Sequence, residues 1–256
     1  MLCIIVLKEF YKLKHKKEIF NNLLEVLKSH NSEISDYEIE KSAENMMCTN
    51  TVHNIEEILN WYEKVKNNLN AKEEIIDLDK VLDWENKNSL IKHNSGGYFE
   101  VVGVRVQSNG TRELKNSGWD QPMLRESNKQ NTGGLLGLIR TKIDGLPHYL
   151  VEAKYEPGNY NSVLLSPTLQ ATFSNLNQVH DGRKPNYFEF FLDYEDSSQY
   201  LFNNMLTEDG GRFYKKTNKG LVKELNFSEI EIKDNFILLS LFQIKQLIKT
   251  TTIVNP

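Results

Sequence analysis

The chain has 256 residues, 39% hydrophobic, 26% charged and 10% aromatic, the balance of a globular protein long enough to bury a core. A formal net charge of −4 gives no global basic field, which argues against nucleic acid and against anionic membrane surfaces as partners. Cys3 and Cys48 lie outside any CxxC or Cys/His ligand spacing, no stretch approaches ~20 apolar residues, and MLCIIVLKEF lacks a basic start and a cleavage site; the expectation is a cytoplasmic protein.

Up to about residue 90 the pattern is helical. Met1–Leu7 reads as a short buried strand or the start of a helix. KKEIFNNLLEVLKSH repeats Ile19, Leu23, Leu24 and Leu27 at helical spacing. NIEEILNWYEKVKNN opens with Asn54 and Glu57, the two ends of a capping box, and closes in lysine, which suits the negative end of the helix dipole. Between them, HNSEISDYEIEKSAENMMCTN is polar and reads as irregular.

From about residue 96 the pattern turns to strands. GGYFEVVGVRVQ and LLGLIRTK are rich in branched apolar residues, and Asp144-Gly145 predicts a hairpin into HYLVEAKY. Pro157-Gly158 fits the centre of a type II turn, with the glycine at positive φ. SPTLQATFSNLNQVH fits a helix start at Ser166-Pro167, but its alternation through Ser174 favours a strand. YFEFFLDY and GRFYKKTNKGLVKEL predict two or three more strands, the latter folded over Asn218-Lys219-Gly220. DNFILLSLFQIKQLIKT predicts a final helix capped by Asp234 or Asn235, with Ile237, Leu241, Ile244 and Ile248 on one face. The fold class is α+β, one domain with a helical N-terminal extension.

Most catalytic signatures are missing. There is no P-loop, no strand-linked GxGxxG and no GxSxG, and Gly133-Gly134 reads as a tight turn. The six histidines are scattered without HxxxH or HExxH spacing, so no metal site is predicted. What remains is polar side chains on strands, suited to proton transfer or to a polar ligand. In an extended register Glu152, Lys154 and Glu156 share one face. A lysine there can stabilise an oxyanion, and a partly buried carboxylate can have its pKa raised; the alternative is a cross-strand ion pair on a solvated face.

IKHNSGGYFEVVGVRV, GWDQPML, HYLVEAKYEPGNYNSVLLSPTLQATFSN with VHDGRKPNY, TEDGGRFYKKTN and SLFQIKQLIKTTTIVNP, taken in order, resemble the NDP-hexose 2,3-dehydratases. The resemblance covers residues 75–256 and leaves 1–74 as the helical extension. It implies a Nudix-like mixed sheet flanked by helices, without Nudix hydrolase chemistry, since Arg112-Glu113 is followed by Leu-Lys-Asn rather than glutamates. Members of this family resemble two tandem copies of the unit; this chain carries one, which leads to the expectation of a homodimer.

The resemblance implies removal of water across C2–C3 of a nucleoside-diphosphate 4-keto-6-deoxyhexose, without metal or cofactor. It assigns Lys154 to the enolate and Glu152 or Glu156 to proton transfer. For ligand contacts it offers Asn159, Gln170, Thr172 and Asn175 for sugar hydroxyls or the base edge, and Trp119 with Gln121 for the nucleobase. Arg105 and Arg212 are candidates for the diphosphate, by bidentate guanidinium contacts. His93 and His180 lie in matching segments as acid, base or ligand contact, and Tyr160 and Tyr214 add phenols. A reactive diketo product would call for a reductase or aminotransferase acting next. An isomerase of a similar 4-keto sugar and a non-catalytic nucleotide-sugar-binding subunit stay open as alternatives.

Overall fold

Two helices lead the chain, α1 (Leu2–His30) and α2 (Asp36–Met46). The computed structural model describes residues 2–30, 33–47, 52–107, 118–127, 132–176 and 184–255, with the backbone alone for 2–14 and 45. Helix α2 lies where an irregular segment was expected. Ser35 caps it by accepting from the Glu38 N–H, and Asp36 and Glu38 occupy its first turn. Ile39 and Ala43, one turn apart, are both buried.

A set of ions ties α2 to the rest of the protein. Arg140 is 1% exposed; it donates to Glu40 at 2.7 Å and Glu44 at 3.0 Å and pairs with Glu224. The Tyr149 hydroxyl donates to Glu44 at 3.0 Å. Burial pushes the Glu44 carboxyl up from its ordinary value, against the pull of Arg140.

Helix α3 (Ile55–Asn68) has the predicted capping box, with Asn54 and Glu57 each satisfying the other's backbone N–H. Its buried face, Ile58 and Tyr62, packs against Val151, Ala153, Val163 and Leu165, and the Tyr62 hydroxyl donates to Val163 O at 2.8 Å. The helical reading ends there: strands β1 (Trp84–Lys87) and β2 (Leu90–His93) follow where helix was expected. Asn88 and Ser89 join them at φ 55° and 63°, the positive pair that a two-residue hairpin turn requires. With β3 (Phe99–Val106) and β4 (Trp119–Glu126) they form a four-stranded antiparallel sheet.

The second sheet has seven strands. Its spine is the hairpin of β5 (Gly134–Ile143) and β6 (Leu146–Tyr155), joined through Asp144 and Gly145 at φ 51° and 80° as the sequence predicts. The two strands part beyond the Ile139–Leu150 pair. Into the gap comes β7 (Val163–Pro167), pairing with β6, and β8 (Leu169–Thr172), pairing with β5. Thr168, 1% exposed, stands at the fork between them. Its hydroxyl donates to Leu150 O and accepts from the Ile139 N–H at 2.9 Å, so it pairs the two backbone groups left by the parting strands.

The ambiguous SPTLQATFSN segment is therefore strand to Thr172, and a single helical turn, α4 (Phe173–Leu176), follows. YFEFFLDY is not a strand; Phe188–Phe191 is a 3-10 turn with Phe191 fully buried over Gly137, where a Cβ would meet the ring at 2.7 Å. The close approach explains the glycine in the middle of β5.

Strand β9 (Phe202–Thr207) precedes β10 (Thr217–Glu224), which runs parallel to β5. Asn218-Lys219-Gly220 lies inside β10 and makes no turn. The final segment splits. Phe236–Leu239 is β11, paired with β6, and α5 (Leu241–Thr250) begins only at Ser240, whose hydroxyl and Gln243 form a capping box. Ile237 thus belongs to a strand, and on α5 it is Leu247 that is buried while Ile248 is 58% exposed. Besides a smaller apolar cluster of Phe20, Ala43, Met47 and Leu146, two cores form among the described residues, one on each face of the large sheet. Leu150, Leu169, Phe191 and Phe236 lie in one; Val151, Leu165, Ile237 and Leu247 lie in the other, under α3 and α5. The α+β expectation holds.

Candidate active site

The outer half of β6 has two unlike faces. Val151 and Ala153 enter the core under α3 and α5, so Glu152 and Lys154 must face the other way. Glu156 follows just past the strand end. Its N–H donates to Ser162 O at 3.1 Å and its carbonyl accepts from the Asn159 N–H at 3.0 Å, which fixes the turn that carries it. Gly158 is not among the residues at positive φ, so Pro157-Gly158 does not form the type II turn that was expected.

These three side chains form one charged group. Lys154 Nζ lies 3.0 Å from Glu156 Oε1 and donates to Gln170 O at 3.3 Å. Gln170 Nε2 reaches the same Glu156 oxygen at 3.5 Å. Glu152 accepts from Asn235 Nδ2 at 3.1 Å. Burial raises the Glu152 pKa to about 6, with Lys154 and Asn235 opposing the rise and Glu156 adding to it.

Polar atoms without partners gather around this group. Gln170 Oε1, Asn159 Nδ2 and Ser166 Oγ are buried and make no hydrogen bond among the described residues. Ser166 is the register partner of Glu152 across β6 and β7. Sequence reasoning missed Asn235, which looked like a helix cap, and Ser166, which lay in a segment read as a strand over the alternative of a helix start. Both face Glu152 only through strand pairing, which no local pattern reports.

The other predicted residues are elsewhere. Trp119 Nε1 donates to Gln121 Oε1 at 2.8 Å, and Gln121 Nε2 donates to Gly211 O at 3.1 Å. Arg212, on the same turn as Gly211, is 75% exposed and pairs with Asp209 at 2.8 Å. Trp119, Gln121 and Arg212 therefore share a neighbourhood on the small sheet. Arg105 sits on that sheet too, with both guanidinium contacts (2.9 and 2.7 Å) taken by Asp120.

His93 packs against Tyr98 and Trp84, ring centres 4.5 and 5.6 Å away, and its Nδ1 meets Ser95 Oγ at 2.8 Å. Thr172 Oγ1 accepts from the Asn175 N–H at 3.3 Å at the start of α4, and Asn175 itself is exposed. Tyr160 is 93% exposed and Tyr214 38%. His180, Cys48 and the Arg112-Glu113 pair lie outside the described residues. No hydrogen bond or ion pair among the described residues joins His93, Arg105, Trp119, Gln121, Thr172, Asn175 or Arg212 to the Lys154 group.

The model of one protein family, NDP-hexose 2,3-dehydratase, matches residues 55–256, from α3 to the end of the chain. The chain belongs to the NDP-hexose 2,3-dehydratase family. Similar members include a dTDP-4-dehydro-6-deoxy-alpha-D-glucopyranose 2,3-dehydratase from Saccharopolyspora spinosa, 35% identical over 182 residues, 70% of this chain and 36% of that protein. Enzymes of the same name from Streptomyces violaceoruber and Amycolatopsis orientalis are 34% and 32% identical, covering 64% and 67% of this chain and 35% and 36% of their own. The chain spans about a third of the length of the curated relatives it matches. Among solved structures, an Ap4A hydrolase from C. elegans aligns with 46% of this chain and 85% of its own at 15% identity and a TM-score of 0.26, too slight a likeness to inform the fold.

Proposed function

We propose that this family member removes water across C2–C3 of a nucleoside-diphosphate 4-keto-6-deoxyhexose, with dTDP-4-keto-6-deoxyglucose as the substrate suggested by its relatives' names. The observation that carries the reading is the charged group on β6. Lys154 is held by Glu156, and beside them Glu152 has a pKa raised to about 6.

The chemistry divides accordingly. The C4 ketone acidifies the C3 proton, and the ionised Glu152 takes it. The ammonium of Lys154 stabilises the oxyanion that develops on the ketone oxygen. Protonated Glu152 returns its proton to the C2 hydroxyl, which leaves as water. The resulting enol tautomerises to a 3,4-diketo-2,6-dideoxy sugar. Glu156 acts as the counter-ion of Lys154, and Gln170 and Asn159 offer amides to the sugar. Trp119, Gln121 and Arg212 form a second polar neighbourhood suited to the nucleoside diphosphate.

In this reading the elimination uses neither metal nor redox cofactor, two chains pair as a cytoplasmic homodimer, and a reductase or aminotransferase consumes the diketo product. The test is incubation with dTDP-4-keto-6-deoxyglucose in the presence of a chelator, followed by mass spectrometry. Loss of one water supports the reading. Unchanged mass with solvent hydrogen entering the sugar assigns an isomerase, and binding with neither assigns a non-catalytic subunit.

A further inference from the structure

A carboxyl group that takes up and returns a proton must keep one aim in both states. Asn235 holds one side of Glu152: its Nδ2 donates to Oε1 at 3.1 Å, while its own carbonyl accepts the Ala153 N–H at 2.8 Å. An amide N–H can only donate, so this contact persists in the neutral form when the proton sits on the other oxygen, Oε2. The second oxygen, Oε2, accepts no hydrogen bond from the described residues.

On the other side of β6, Ser166 of β7 stands directly opposite Glu152. Residues opposed in this way carry their side chains on the same face, with Cβ atoms about 4.5–5.5 Å apart. Ser166 is 2% exposed and its Oγ has no hydrogen-bond partner among the described residues. Buried polar atoms are nearly always paired, so a hydroxyl kept without a partner beside a half-buried carboxyl calls for a reason. The other groups acting on Glu152 are Lys154 from its own strand and Glu156 just past its end, and Glu152 in turn raises the phenol pKa of Tyr187, which packs edge-on against Phe236 of β11. Each of Lys154, Glu156 and Tyr187 has a hydrogen bond or ion pair of its own.

We propose that Ser166 is the positioning residue of Glu152, its hydroxyl turning to Oε2 as a donor when the carboxyl is ionised and as an acceptor when it is protonated. A hydroxyl does both by turning about its own C–O bond, whereas an ammonium only donates and an amide must swing its whole end group over. The inference rests on the reading of Glu152 as the proton-moving group, but its test does not require turnover.

The experiment is a carbon-13 titration of the glutamate carboxyls in the full chain, with the Glu152 signal assigned by its loss in Glu152→Gln. Ser166→Ala removes a donor to the ionised form, so the Glu152 pKa rises by about one unit, a tenfold tighter hold on the proton. The melting temperature falls only modestly, and chiefly at pH values above the Glu152 pKa, where the ionised carboxyl loses its donor. An unchanged Glu152 titration overturns the proposal, and so does a large fall in melting temperature with the titration unmoved, which makes Ser166 a packing residue. If the unaltered chain also dehydrates the sugar, the acid limb of kcat moves to higher pH in Ser166→Ala with KM unchanged. If it does not, the dehydratase reading falls and the titration still decides the role of Ser166.

Discussion

Lys154 and Glu156 form an ion pair of 3.0 Å, two positions apart at the outer end of β6. The pair neutralises the carboxylate nearest the ammonium and leaves Glu152, on the same face, outside the pair, in keeping with the proton-accepting role proposed for it. Lys154→Met should therefore keep the fold and the affinity for nucleotide, because the long apolar stem is preserved, while turnover falls by about 10²–10³-fold through loss of oxyanion stabilisation. Circular dichroism, nucleotide titration and steady-state turnover check the three parts. Near-normal turnover would sink the role given to Lys154.

Glu152 should set the pH dependence. Its pKa, raised to about 6 mainly by burial, puts the acid limb of kcat near that pH, since the base works ionised. Glu152→Gln should lower turnover by about 10²–10⁴-fold. The same shift enters stability with a definite sign. The folded protein holds this proton more tightly than the unfolded chain, so the contribution is full below the ordinary carboxyl value of 4.5 and is lost as pH rises through about 6. Glu152→Gln should gain about 2 kcal/mol relative to the unaltered protein at pH 8 and much less at pH 4.5, measured by denaturant titration. A pH-independent difference would contradict the buried, raised carboxyl.

What the sequence disclosed follows from what is local. The Asn54–Glu57 capping box and the Asp144-Gly145 hairpin are set by neighbouring residues, and both appear where the residues predict. The shared face of Glu152 and Lys154 follows from strand periodicity alone. Helix α2 escaped because part of its buried face is Glu44, whose partner Arg140 is 96 residues away. The Phe188–Phe191 turn alternates like a strand, yet it is shaped by Phe191 packing over Gly137. Ser166 and Asn235 became neighbours of Glu152 only through the pairing of β7 and β11 with β6.

Arg140 should be a stability residue of the first rank. It is 1% exposed and meets three carboxylates, Glu40, Glu44 and Glu224, so Arg140→Met leaves buried negative charge without its cation. Breaking a buried pair from one side costs about 3–5 kcal/mol. Equilibrium denaturation checks this. A loss below about 1 kcal/mol would mean that α2 is held to the sheet by its apolar contacts, Ala43 and Met47 among them, rather than by the ions.

The fork at Thr168 links the fold to the site. Its hydroxyl satisfies both the Leu150 carbonyl and the Ile139 N–H where β5 and β6 part, and β7 and β8 on either side carry Ser166 and Gln170. Thr168→Val keeps the shape and removes the hydroxyl, leaving two buried backbone groups unpaired at a cost of about 2–4 kcal/mol. Thr168→Ser keeps the hydroxyl and should lose about 1 kcal/mol, for the missing methyl. Because the walls of the Glu152 site hang from this fork, kcat should fall in the valine variant measured well below its melting temperature, while the serine variant stays near normal. Equal stability of the two variants in urea would show that strand pairing alone holds the fork open, and that the placement of Ser166 and Gln170 does not depend on Thr168.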